Sequence, residues 1–89
     1  MKIVESNKQY LRDASVAQML NGDPLVVGCP TAQGAFAPEG EWLVATRAFH
    51  LEGGWGQGWE DPGVDVKAGQ MFRLRRAGSP SDAAIWEIA

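Results

Sequence analysis

Ser6-Asn7-Lys8-Gln9-Tyr10-Leu11-Arg12-Asp13-Ala14-Ser15-Val16-Ala17-Gln18-Met19-Leu20-Asn21-Gly22 is the stretch that carries helical spacing, and its reading sets the fold class. Ser6 with Gln9 three residues on fits a capping box, in which each side chain satisfies the other's free backbone amide. Tyr10, Ala14, Ala17 and Leu20 recur at helical intervals. Leu11 and Met19 widen that stripe, and Lys8, Arg12, Asp13 and Gln18 fall mostly elsewhere. Asn21-Gly22 offers a left-handed stop, and Pro24 blocks resumption. These signals predict a helix from Ser6 to Leu20. Ser15 with Gln18 repeats the capping spacing and allows a later start, with residues 7–14 irregular.

Outward from this stretch the chain reads as strand. Lys2 to Glu5 predicts a short first strand, and Leu25-Val26-Val27-Gly28-Cys29 a buried one. Residues 30–40 show no periodicity and read as a loop. Trp42 to Leu51 predicts a central strand, with Leu43, Ala45, Arg47, Phe49 and Leu51 on one face. Val64 to Val66 and Gln70 to Arg75 predict two strands joined at Lys67-Ala68-Gly69, with glycine where positive φ is needed. Ala77 to Asp82 reads as a turn. Ala83 to Ile88 closes as a strand with Ala84, Trp86 and Ile88 on one face. The expected fold is α+β: one N-terminal helix packed on a small antiparallel sheet, or on a partly open β-barrel of four to six strands, in a single domain 1–89.

Bulk composition narrows the function. The chain has 89 residues, 45% hydrophobic and 21% charged, with a formal charge of −3. An acidic balance opposes direct duplex-DNA binding, which needs clustered Lys and Arg. No run reaches the ~20 apolar residues of a membrane span, and the N-terminus lacks the apolar core of a signal peptide. Cys29, the single cysteine, permits no internal disulfide. A cytoplasmic protein is expected.

Chemistry-bearing clusters are few. One Cys and one His cannot form the usual N/S metal cage, and Glu60 to Asp65 lacks a calcium-loop pattern, so neither metal nor cofactor is expected. Cys29 and His50 could pair as nucleophile and base, but nothing in the spacing brings them together. His50 with a carboxylate would be the minimal catalytic reading. Gly54-Trp55-Gly56-Gln57-Gly58 is no phosphate cradle, because no helix is expected after it.

Leu51 to Gly63 is more informative, with Trp55 and Trp59 among five glycines. An indole in such a loop either covers the core or meets a partner. Glu52, Glu60 and Asp61 would steer it toward a basic surface. Arg73, Arg75 and Arg76 form the basic cluster, with Arg73 and Arg75 on one face of their strand as a candidate anion site. Arg47, mid-strand among apolar residues, is expected to pair with a carboxylate or to point into a polar cavity. Between Glu39 and Asp65 six acids face one cation, Arg47, an asymmetry that can orient a partner or a homodimer.

The functional expectation is a small acidic protein-binding module without catalysis. It matches the type of phage or mobile-element inhibitor that sterically blocks a host nucleic-acid-handling or defence protein. The alternative is a binder of a nucleotide or sugar, held between the loop tryptophans and the arginines.

Overall fold

The computed structural model describes residues 1–25, 34–79 and 82–89. Among them are eleven short strands and no helix of seven or more residues. The expected N-terminal helix is absent, and the α+β expectation is corrected to a nearly all-β fold. In chain order the strands are β1 (Lys2–Ser6), β2 (Tyr10–Leu11), β3 (Ala17–Met19), β4 (Ala35–Phe36), β5 (Leu43–Ala45), β6 (Phe49–Leu51), β7 (Gly54–Gly56), β8 (Trp59–Asp61), β9 (Val64–Val66), β10 (Met71–Arg76) and β11 (Ala84–Ile88). Five form an antiparallel sheet in the order β1-β11-β10-β5-β3, and the rest pair as β2-β4, β6-β9 and β7-β8.

Each helical signal in Ser6 to Gly22 serves another purpose here. Ser6 ends β1, and its hydroxyl accepts the Lys8 amide at 3.0 Å, so the cap becomes a local turn. Tyr10 and Leu11 pair with Phe36 and Ala35. Asp13 caps a single 3-10 turn, Ala14–Val16, by accepting the Ser15 amide at 3.0 Å and its hydroxyl at 2.7 Å. Ala17 to Met19 then pair with Ala45 to Leu43. Asn21-Gly22 closes a hairpin instead of a helix. The Gly22 amide donates to Met19 O (2.9 Å), the Met19 amide to Asp23 O (2.8 Å), and Gly22 takes φ +92°. A lone fifteen-residue helix is marginal in water, and most helical stability comes from packing one face. Leu11, Val16 and Ala17 are all buried here, which two strands and a corner achieve against different partners.

The expected strand Trp42 to Leu51 is broken at Thr46-Arg47-Ala48, so β5 and β6 join different sheets. The 13–16 turn pins this corner. The Thr46 amide donates to Val16 O at 2.7 Å, its hydroxyl donates to Ser15 O, and Arg47 pairs with Asp13. Strands β1, β9, β10 and β11 fall close to their expected bounds. The Lys67-Ala68-Gly69 turn forms with Gly69 at φ +84°, but it passes the chain from the β6-β9 ribbon to the central sheet. The expected strand at Leu25–Cys29 lies, beyond Leu25, outside the described residues, as do part of the 30–40 loop and Pro80-Ser81.

Val4, Phe72, Leu74, Trp86 and Ile88 form the inner face of the central sheet, with Leu43, Leu51 and Val66 against them. Phe72 lies between Phe49 and Trp86, with ring centroids 5.3 and 6.1 Å away. Trp86 is 1% exposed, and its Nε1 donates to Lys8 O at 3.0 Å. Trp86→Ala removes both the ring and that bond, with an expected loss of about 3–5 kcal/mol. Urea unfolding measures it; a loss below ~1 kcal/mol would contradict this core.

Candidate functional site

Leu51 to Gly63 folds into the β7-β8 hairpin instead of an irregular loop. Gly54 faces Asp61, Trp55 faces Glu60 and Gly56 faces Trp59 across a Gln57-Gly58 turn, with Gly58 at φ +82°. Two glycines permit close approach. A Cβ on Gly56 would sit 2.2 Å from Trp59 Nε1, so the Trp59 indole lies over the bare backbone. A Cβ on Gly54 would meet the Asn7 amide at 2.5 Å, so the hairpin packs directly on the end of β1.

Side-chain hydrogen bonds fasten the hairpin there. Asn7 Nδ2 donates to Trp55 O at 3.0 Å, and Asn7 Oδ1 accepts the Trp55 amide at 2.9 Å. One carboxamide thus satisfies both backbone groups of Trp55. Asp61 adds two bonds, accepting the Glu5 amide at 3.0 Å and the Gly63 amide at 2.8 Å. Asp61, expected to steer a partner, is therefore occupied in holding the hairpin.

The two tryptophans lie in successive pairs of the ribbon, and both border one groove. Successive residue pairs of a ribbon point to opposite faces. Trp55 shares its face with Glu60, whereas Trp59 shares its own with Gly56. Trp55 is 75% exposed and Trp59 is half-buried. The hairpin, Tyr10, Phe36 and Arg76 line an open groove of about 950 Å³. Tyr10 and Phe36 meet edge to face, 6.2 Å between centroids. Trp55 stands between that groove and a shallow hollow lined by His50, Glu52, Glu60 and Pro62.

The other expected site residues are engaged in ion pairs. Glu52 pairs with Lys8 at 2.6 Å and Arg12 at 3.4 Å, and the Lys8 bond holds its carboxyl below the usual range. Arg73 donates to the buried Glu87 at 3.1 Å and stacks on Trp42, its guanidinium carbon 4.6 Å from the ring centroid. Arg75 reaches Glu87 at 3.8 Å. Neither arginine lines the hairpin groove; Arg76 does. A β-bulge between Leu74 and Arg76 sets Arg76 opposite Ile85, on the outer face. The run Arg75-Arg76 was the visible hint, but alternation through an unbroken strand turns Arg76 inward. Asn7, Tyr10 and Phe36 were missed because Asn7 and Tyr10 were read in a helix and Phe36 in a loop. Arg47 does find a carboxylate, Asp13, although at an exposed corner. The Ser15 hydroxyl and amide, then Arg47, hold the Asp13 carboxyl below its usual range.

His50 meets a carboxylate and a backbone carbonyl. Its Nδ1 lies 2.9 Å from Asp65 Oδ1 and its Nε2 3.1 Å from Pro62 O. Both neighbours are acceptors, an arrangement that favours the protonated ring over the neutral one. Asp65, then the Pro62 carbonyl, raise its pKa against a desolvation penalty. Cys29 lies outside the described residues. Among the described residues no three His, Cys, Asp or Glu side chains are grouped to hold a metal ion. No helix among them is long and apolar enough to cross a membrane. Comparisons with protein-family models, curated proteins and solved structures give no match.

The His50 clamp has a pH dependence of defined sign. Its folded pKa lies above 6.5, so its stabilisation is complete below about pH 6.5 and is lost as pH rises through the raised value. An NMR titration of the His50 ring is expected to give a midpoint above 6.5 that falls in Asp65→Asn. A midpoint at or below 6.5 in the unmodified protein would contradict the two-acceptor geometry.

Proposed function

We propose that this chain is a small non-catalytic protein-binding module whose anchor is the indole of Trp55. One observation carries the proposal: the side chain is 75% exposed while its backbone is clamped by Asn7 at both the amide and the carbonyl. Tryptophan is strongly enriched among the few residues that dominate binding energy. An indole on a fixed backbone loses little freedom when it enters a socket, which reduces the entropic cost of association.

The partner's chemistry follows from the charges. Glu60 lies opposite Trp55 on the same hairpin face, and the whole chain carries −3. An apolar socket rimmed by Lys and Arg complements that surface, and such attraction raises the on-rate. Basic surfaces are what proteins that handle nucleic acid present to phosphate. We favour a steric blocker of such a protein, which acts by occupying the surface. A second reading, a nucleotide or sugar site, has Arg76 and Trp59 in one aromatic groove in its favour.

A photo-cross-linking residue at position 55 identifies the partner in cells, and the purified pair is then measured. Trp55→Ala is expected to weaken binding about 30-fold or more, a hot-spot loss of about 2 kcal/mol. Its melting temperature is expected to stay within ~2 °C, since little contact is removed from the core. Higher salt is expected to slow association. Unchanged affinity in Trp55→Ala, or a contact surface that is acidic, would overturn the proposal. Quenching of tryptophan fluorescence by a nucleotide, abolished in Arg76→Gln, would favour the second reading.

A further inference from the structure

On the other side of β1's end, a second cavity of about 220 Å³ opens beside the corner between β5 and β6. It shares Lys8 and Tyr10 with the hairpin groove but neither Trp55 nor Trp59. Its floor is apolar: Leu11, Val16, Leu51 and Trp86 are buried residues, and Phe49 packs against the same core. The Trp86 indole N–H is already used by the Lys8 carbonyl, so the ring offers this space only its apolar surface.

Its charged lining holds four basic side chains and two carboxylates, Asp13 and Glu52, on a chain that is acidic overall. The basic side chains are Lys8, Arg12, Arg47 and His50. The carboxylates that answer them are one short. Arg47 pairs with Asp13, and His50 with Asp65. Lys8 and Arg12 share Glu52, and Lys8 holds the closer contact, 2.6 against 3.4 Å. Arg12 is therefore the least neutralised cation of the rim, with 63% of its side chain exposed.

We propose that this cavity binds a small aromatic carboxylate, its ring system against Phe49 above the buried edge of Trp86 and its carboxylate in the guanidinium fork of Arg12. A planar fork matches a carboxylate with two parallel bonds, which a lysine cannot offer. At interior packing density the cavity takes roughly 160 Å³ of ligand, the size of a two-ring acid. Burial of the rings supplies the attraction, and the charged mouth sets the preference. An alcohol of the same shape would leave Arg12 unanswered, and an amine would lie beside Arg12, the cation with the weakest carboxylate contact. The site is separate from the Trp55 anchor, and neither proposal depends on the other.

The probe is 2-naphthoate, titrated into the full chain and followed by amide and indole NMR signals. Its controls are 2-naphthalenemethanol and 2-naphthylmethylamine. Naphthoate is expected to move the Trp86 indole signal and the amides of Leu11, Val16 and Phe49. It is expected to bind about tenfold more tightly than the alcohol, the scale of one charge-assisted contact. The amine is expected not to bind. Arg12→Gln, an exposed substitution, is expected to bring naphthoate down to the alcohol's affinity while Trp55→Ala leaves both unchanged. Three results would overturn the proposal: no shift at about 1 mM naphthoate, equal affinity for acid and alcohol, or shifts centred on Trp55 and Trp59 with the Trp86 indole unmoved.

Discussion

The carboxamide of Asn7 is the interaction on which the exposed surface depends. It replaces the strand that β7 lacks on its outer side, giving Trp55 a donor and an acceptor at 2.9–3.0 Å. Without it, a ribbon as short as Gly54–Gly56 and Trp59–Asp61 would be held mainly by its own cross-strand bonds, and isolated two-stranded ribbons are marginal. Gly54 makes the arrangement possible because any Cβ there would strike Asn7. Asp61 reinforces it from the partner strand by bonding the Glu5 amide. The result is an indole in solvent on a backbone that is part of the sheet edge.

A second constraint acts at the corner between β5 and β6. Asp13, through its cap on Ser15 and its pair with Arg47, fixes the corner that parts β5 from β6. Exposed ion pairs contribute little stability individually. Their consequence here is positional. The corner directs Phe49 and Leu51 toward the β6-β9 ribbon and leaves the small cavity between them and Val16. Arg73 and Arg75 are drawn instead to Glu87, which is 3% exposed and needs a cation once removed from water. Sheet stability thus takes the two arginines that alternation puts on one face, and the bulge leaves Arg76 for the groove.

Much of the β structure was legible from alternation. Lys2–Ser6, Val64–Val66, Met71–Arg76 and Ala84–Ile88 were read near their bounds, and Ala84, Trp86 and Ile88 do share a buried face. The reading failed where one pattern serves two structures. Asn-Gly stops a helix and also turns a hairpin. Ser-x-x-Gln caps a helix, yet Ser6 spends its hydroxyl on an amide two residues away. Apolar spacing in Tyr10 to Leu20 matched a helix because β2, the 3-10 turn and β3 each bury residues on different partners. The corner at Thr46 depends on Ser15 and Val16, thirty residues earlier, which local periodicity cannot register. The sequence singles out Trp55 and Trp59 with Glu52, Glu60 and Asp61, but the hairpin's dependence on Asn7 is invisible without the long-range contact.

Hydrogen exchange at one amide tests the central claim most directly. The Trp55 N–H sits under an exposed side chain at the edge of a short ribbon, where rapid exchange is the default unless Asn7 holds it. Strong protection is expected in the unmodified chain, with loss of that protection in Asn7→Ala while the amides of β10 and β11 stay protected. A Trp55 amide that exchanges at the rate of an unstructured peptide in the unmodified chain would show that the hairpin is not clamped, and the pre-organised anchor would be lost with it.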